Sequence, residues 1–303
     1  MRFAVTGGAG FIGNNIVKHL IKNNHSVTVI DNLHTGKKEN LEDVMNQVEF
    51  YNYDIRNYDE LKNVLKNVDG VFHQAALTIV QESFTKKQEY FDVNVKGTEN
   101  ILKIAKENDF KVVYASSSSI YGNVSKIPIK ETFEKNPINP YGETKLKDEE
   151  LAIKYSADGV KVIGLRYFNV YGIGQTGSYA GVITKFMNRI SEDKSPVING
   201  KGEQTRDFVF VEDVADANLC AMKSKTNSGF FNIGTGKIVS IKQLAELMIS
   251  TYGKSLTPEF GPSLKGDVMQ SQADTSLAEK MLNWRYKTEL KDGLSAMLKL
   301  WIK

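Results

Sequence analysis

Cysteine is almost absent from this chain. The single thiol, Cys220, excludes an internal disulfide and any metal site built on two or more thiolates. It stands in VADANLCAM, an apolar helical pattern, and reads as a small buried hydrophobe. Histidine is scarce as well: His19, His25, His34 and His73 show no metal-ligand spacing, so no metal is expected. No run of 18 apolar residues occurs, so no segment is expected to span a bilayer. Blocks of five or six like charges are also missing. With 39 basic and 36 acidic residues the net charge is +3, too balanced for a nucleic-acid surface, so an anionic ligand must be met by a local site. The N-terminus enters a strand at once, with no basic segment leading into an apolar stretch, and the expected compartment is the cytoplasm. Internal repeats and low-complexity segments are absent.

What the chain does have is length and alternation. Its 303 residues are long for one core and comfortable for two lobes. Short apolar runs at 3–5, 27–30, 48–51, 70–73, 112–115 and 162–166 read as buried strands. Between them, helical patterns cover 10–23, 58–67, 94–107 and 141–155. Buried strands joined by helical crossovers predict an α/β fold, a doubly wound parallel sheet covered on both faces. After about residue 170 glycine-rich loops appear and the helices lose regularity. The expected division is therefore a Rossmann-type domain over 1–170 and a smaller α/β lobe over 171–303, with 206–221 free to return to the first domain.

The first strand runs into Thr6-Gly7-Gly8-Ala9-Gly10-Phe11-Ile12-Gly13. Glycines 8, 10 and 13 fit G-x-G-x-x-G; glycines 7, 10 and 13 fit a variant. Missing side chains let backbone approach a pyrophosphate, and the helix that follows presents free N–H groups and a positive dipole end. A glycine motif alone is weak. Here it follows a strand, opens a helix, and precedes an acidic residue at the end of the next strand, Asp31. Asp31 is placed to accept hydrogen bonds from ribose hydroxyls, and its charge repels a 2′-phosphate, which favours NAD over NADP. Tyr53-Asp54-Ile55-Arg56 ends the third strand; Asp54 there reads either as an adenine-side residue or as a turn residue.

Tyr141 and Lys145 stand one helical turn apart on one face. A phenol in water titrates near ~10, too high for a base at neutral pH, and an adjacent ammonium stabilises the phenolate. That is the chemistry needed to take a proton from an alcohol as its hydride leaves. The spacing is not unique, since Tyr58 and Lys62 repeat it on what reads as a solvated helix face. The setting of Tyr141 differs: it follows Pro140, opens a helix, and lies downstream of Ser116-Ser117-Ser118-Ser119, which closes a buried strand. Serines at such a strand end can hydrogen-bond a reacting oxygen, or merely cap backbone; capping is the reading for Ser116 and Ser118.

TGGAGFIG, DNLHTGKKENL, YDIR, HQAA, NVKGTENIL, ASSSSIYG, NPYGETK, LRYFNVYG, QTRDFVFVEDVA, FNIGTG and KGDVMQSQAD together resemble the extended short-chain dehydrogenase/reductase family, over nearly the whole chain. Within it the likeness is to nucleotide-sugar 4-epimerases. The resemblance implies Ser117, Tyr141 and Lys145 as the catalytic set. It implies NAD held by Gly7, Gly10, Phe11, Ile12, Gly13, Asp31, Asn32, Asp54, Ile55, Ala75, Ala76, Asn94, Tyr141, Lys145 and Tyr167. For a UDP-sugar it implies Ser117, Ser119, Asn169, Val182, Arg206, Asp267 and Ser271. Asn169 and Arg206 match diphosphate positions, a guanidinium suiting phosphate by bidentate pairing; Asp267 matches a ribose position. The small Ser271 matches a gate on sugar size, so UDP-N-acetylhexosamines are expected to fit. The chain departs from the family at Leu264, where an arginine is usual, with Lys265 beside it. Family dehydratases and decarboxylases carry an acid where this chain has Ser118 and Ser119, which argues against both reactions. A uronate epimerase and a non-catalytic NAD-binding protein stay open. A homodimer through helices 94–107 and 141–155 is also implied.

Overall fold

The computed structural model describes residues 1–175, 181–263 and 268–301. Seven parallel strands form its centre: β1 (Arg2–Thr6), β2 (Ser26–Ile30), β3 (Val48–Tyr51), β4 (Gly70–His73), β5 (Lys111–Ser117), β6 (Val162–Tyr167) and, far along the chain, the strand Ser228–Ile233. The spatial order is β3-β2-β1-β4-β5-β6 with Ser228–Ile233 outside β6, and every pairing is parallel. Strand β1 lies between β2 and β4, so the winding reverses there. The crevice outside the carboxyl ends of β1 and β4 is where such a sheet accepts a ligand.

Alternation along the strands feeds two cores. Phe3 and Val5 point to one face and pack with Ile16, Val17 and Leu20 of α1 (Phe11–Lys22). Ala4 and Ile30 point to the other, with Leu61 of α2 (Tyr58–Leu65) and Ile101 and Leu102 of a helix at Gly97–Asn108. Two short helices, α3 (Val80–Ser83) and α4 (Lys87–Tyr90), precede that helix, which is α5. Residues 94–107 were expected to be one regular helix. Instead Phe91–Lys96 forms a π turn and α5 begins at Gly97, where a Cβ would lie 2.4 Å from Ile55 Cδ1. The wider turn lets the chain close on the third-strand loop.

Helix α6 (Pro140–Ala157) carries the Tyr-Lys pair. Asn139 caps it, its side chain accepting from Gly142 N–H at 2.8 Å, and Pro140 starts the first turn. Beyond β6 come β7 (Asn169–Tyr171), α7 (Val182–Ser191), β8 (Val197–Asn199), β9 (Thr205–Arg206), β10 (Phe208–Phe210), α8 (Val211–Lys223), β11 (Ser228–Ile233), β12 (Val239–Ser240), α9 (Ile241–Thr251), β13 (Glu259–Gly261), α10 (Ser276–Leu282) and α11 (Leu290–Trp301). The return toward the sheet runs past residue 221: α8 packs on α1, β11 pairs with β6, and Trp284 enters the first core. The smaller lobe gathers α7, α9 and α11 around Ile183, Phe186, Leu244, Met248 and Leu294.

Candidate active site

At the reversal point the glycine loop lines a cavity of about 350 Å³. Gly7, Gly10 and Gly13 face it, with Phe11 and Ile12, whereas a Cβ on Gly8 would meet Val29 of β2. The 7-10-13 reading is thus the one the geometry uses. Gly7 takes φ +67°, and a Cβ on Gly13 would lie 2.0 Å from Gly7 O, so neither position tolerates a side chain. Asp31 is buried on the cavity wall. One oxygen accepts from Ala9 N–H at 2.9 Å and the other from Leu33 N–H at 2.8 Å. Each oxygen retains capacity to accept a further hydrogen bond; burial raises the Asp31 pKa, and the two N–H groups pull it back. Asn32, Ile55, Ala75, Ala76 and Tyr167 complete the expected lining.

Asp54 and Asn94 do not line this cavity. Asp54 grips Arg56 through both oxygens at 2.8 Å and accepts from Asn32 at 2.9 Å. These hydrogen bonds, Arg56 first, depress its pKa to about 2, and it is Arg56 and Asn32 that reach the cavity. Asn94 is buried beneath it, holding Leu77 N–H and C=O and the Thr144 hydroxyl. Each holds residues that do line it, Asn32 and Arg56 for Asp54 and Leu77 for Asn94.

Ser117, Tyr141, Tyr167 and Phe168 form a wall shared with a second cavity of about 330 Å³. Lys145, one turn below Tyr141, lines the first cavity and is almost fully buried. Ser117 Oγ accepts from Ser119 N–H at 3.2 Å, leaving its own proton to donate. Ser116 donates instead to Glu149 at 2.8 Å. Glu149 also takes Arg166 Nε and Nη2 at 2.8 Å each, a buried pair that ties β6 to α6 beside the serine strand.

The second cavity is lined by Ser118, Ser119, Asn169, Arg206 and Ser271, together with Val80, Gln81, Ile129, Asn139 and Gln270. Its described lining contains no carboxylate, and Arg206 is the one cation. The Ser119 hydroxyl is buried without a hydrogen-bond partner among the described residues, which suits a ligand oxygen. Asp207, fully buried, organises this end. It accepts from Thr235 N–H and hydroxyl at 2.7 Å, Gly236 N–H at 2.9 Å and Ala273 N–H at 3.0 Å, while its carbonyl takes Asn169 N–H at 3.0 Å. Arg206 and Asn169 thereby flank one fixed point. Val182 opens α7 and lines neither cavity. Asp267, Leu264 and Lys265 lie outside the described residues.

The other Tyr-Lys pair meets neither cavity: Tyr58 and Lys62 both engage Glu107 on an exposed helix face. Sequence reasoning missed Arg56, Gln74 and Lys37 in the first cavity and Gln81, Asn139 and Gln270 in the second. All but Gln81 left a signal, lying inside the motifs YDIR, HQAA, DNLHTGKKENL, NPYGETK and KGDVMQSQAD.

Residues 3–234 match the profile of the NAD dependent epimerase/dehydratase family. The chain belongs to that family. The UDP-N-acetylglucosamine 4-epimerase of Methanobrevibacter ruminantium M1, solved with UDP-N-acetylmuramic acid, aligns at TM-score 0.95 and 34% identity, over 99% of this chain and 98% of that one. The UDP-glucose 4-epimerase of Thermotoga maritima with UDP-glucose gives 0.95 and 35%, over 100% and 99%. The UDP-glucuronic acid 4-epimerase of Bacillus cereus with UDP-glucuronic acid and NAD gives 0.91 and 33%, over 99% and 98%. As a member of this family the chain is an NAD-dependent epimerase with a Rossmann-type fold. Its residues fit the cofactor: the loop closes so tightly on itself that Gly7 and Gly13 tolerate no Cβ, which leaves backbone facing the cavity, and Asp31 lines the wall with acceptor capacity to spare.

Proposed function

We propose that the protein is a UDP-hexose 4-epimerase, interconverting UDP-galactose and UDP-glucose and accepting UDP-N-acetylhexosamines. One observation supports this above the rest: Ser117 and Tyr141 stand on the wall common to a cavity lined by the nucleotide loop and one lined by Asn169 and Arg206. A sugar held there by its diphosphate presents C4 to both residues. Tyr141, with the Lys145 ammonium one helical turn away, takes the proton of the 4-hydroxyl. Ser117 donates a hydrogen bond to the same oxygen and steadies it as its charge changes. NAD, when bound, supplies the acceptor and donor of the C4 hydride. Arg206 and Asn169 hold the diphosphate while the 4-keto sugar turns over, and Tyr141 then returns the proton to the opposite face. Anchoring at the nucleotide end with freedom at the sugar end is what this division provides.

Arg206, the one cation in the described lining of the second cavity, is engaged at the diphosphate end in this reading, so a C6 carboxylate would meet only neutral donors among the described residues, which favours neutral sugars over a uronate. Ser271 is a small side chain on the wall of the second cavity, which supports acceptance of an N-acetyl group there. Proton NMR of the purified protein with UDP-galactose, UDP-N-acetylglucosamine and UDP-glucuronate, without added reductant, tests the reading. The C4 epimers of the first two are expected. Conversion of the uronate alone would overturn the substrate assignment; conversion of none, with NAD bound, would overturn the epimerisation of these sugars. Tyr141→Phe is expected to lower kcat by about 10²- to 10⁴-fold, the usual worth of a general acid–base group.

A further inference from the structure

Four consecutive charged residues, Lys147 to Glu150, follow Leu146 on α6, yet they do not share one environment. Lys147 and Glu150 are exposed and pair with each other; Asp148 and Glu149 point inward and are buried. Glu149 is explained by Arg166. Asp148 is not explained by the fold. It has no exposed surface, its Oδ2 lies 3.2 Å from Lys145 Nζ, and its Oδ1 has no hydrogen-bond partner among the described residues. The groups facing it are Lys145 and Glu149 on α6 and the Thr98 hydroxyl on α5, with the Tyr114 phenol of β5 nearby. His73 of β4 stands behind Thr98, 3.0 Å from its hydroxyl, and feels the Lys145 charge. Lys145 is the one cation close to Asp148 among the described residues.

We propose that Asp148 is a positioning residue for the reaction, holding the Lys145 ammonium against the cofactor cavity and setting how much of its charge reaches the Tyr141 phenol. The inference rests on the epimerase reading given above. A buried ammonium without a counter-charge drifts toward its neutral form and its flexible stem has several rotamers. One of the three Nζ protons goes to Asp148, which fixes the stem and leaves the others for the cavity that Lys145 lines. The same carboxylate opposes the lysine's field at the phenol, so it trades phenolate stabilisation for placement. Burial pushes the Asp148 carboxyl up to about 6, with Lys145 holding it down. The balance therefore changes in mildly acidic solution.

Two variants separate placement from charge. In Asp148→Asn the amide oxygen still receives the lysine proton but the negative charge is gone. The acid limb of the kcat profile on UDP-galactose is expected to move about one unit to lower pH, with NAD⁺ affinity, read by calorimetry, close to that of the parent. In Asp148→Leu the lysine loses its hold: kcat should fall about tenfold or more, NAD⁺ binding should weaken, and KM for the UDP-sugar should stay put. Wild-type pH profile and NAD⁺ affinity in both folded variants would overturn the proposal. Should the leucine variant not fold, the isosteric asparagine variant carries the test alone. If the parent converts no UDP-hexose, the functional reading falls, while NAD⁺ affinity and its pH dependence still judge Asp148.

Discussion

His73 sits at the end of β4 with both ring nitrogens engaged, 2.6 Å from the Thr6 hydroxyl and 3.0 Å from that of Thr98. Burial, and then the Lys145 charge, press its pKa down to about 3, so it is neutral in the folded protein while the unfolded chain protonates near 6.5. Its contribution to stability is full above that pH and is lost as pH falls toward 3, at about 1.4 kcal/mol per pH unit. Asp148 runs the other way. Raised to about 6, it binds a proton in the folded state before the unfolded chain does, so acidification from 6 to its ordinary value stabilises. The two slopes oppose each other there. His73→Asn should remove one of them, and urea unfolding between pH 4 and 6 should then show the variant gaining on the parent as pH falls; parallel curves would refute this. A second residue-scale expectation concerns Ser271, where tyrosine should abolish turnover of UDP-N-acetylglucosamine and spare UDP-galactose, as a coupled assay with each sugar would report. Asp31, Ser117 and Tyr141 were legible because each ends or follows a recognisable run, whereas Arg206 stood out only through the family resemblance. Asp148 was not, since a lysine-aspartate-glutamate-glutamate run reads as a solvated helix face and nothing in spacing reveals which charges turn inward.

The elements that carry function are tied by a few buried polar knots. Asp207, just before β10, links the start of β7, the turn after β11 and the segment of Ser271 and Ala273. Asp207→Ala would strand four donors in the interior, so a loss of about 3–5 kcal/mol in unfolding free energy is expected, with a raised KM for the UDP-sugar at temperatures where the variant stays folded. A loss under about 1 kcal/mol, within the ordinary range of single substitutions, would mean that water replaces the carboxylate. At this scale the sequence was generous. Six of the seven central strands stand out as apolar runs, because parallel strands buried on both faces have little room for polar residues. Strand β11 escaped notice, its Ser-Gly-Phe-Phe-Asn-Ile mixing an exposed start with a buried end. The π turn before α5 escaped too: apolar spacing in one short stretch does not distinguish five residues per hydrogen-bonded turn from four.

For the molecule as a whole, no helix among the described residues is long and apolar enough to cross a membrane. Phe84 and Phe91 are exposed near the helices that end at α6, and Ile153 is 60% exposed on α6 itself. We expect this face to pair two copies of the chain, so light scattering should give twice 33.9 kDa, and Ile153→Asp should shift the mass toward one copy. A monomeric parent at micromolar concentration would dismiss the dimer. The parallel pairing of β11 with β6 has a further consequence, for anyone who shortens the chain. A fragment ending near residue 170 keeps the nucleotide loop, the serines and the Tyr-Lys pair, yet it strips the outermost strand and lays Val162–Tyr167 bare along six residues of backbone that now seek a partner. Such a fragment should precipitate or form fibrils instead of yielding a minimal NAD-binding domain, and added Ser228–Ile233 peptide should compete with that self-association.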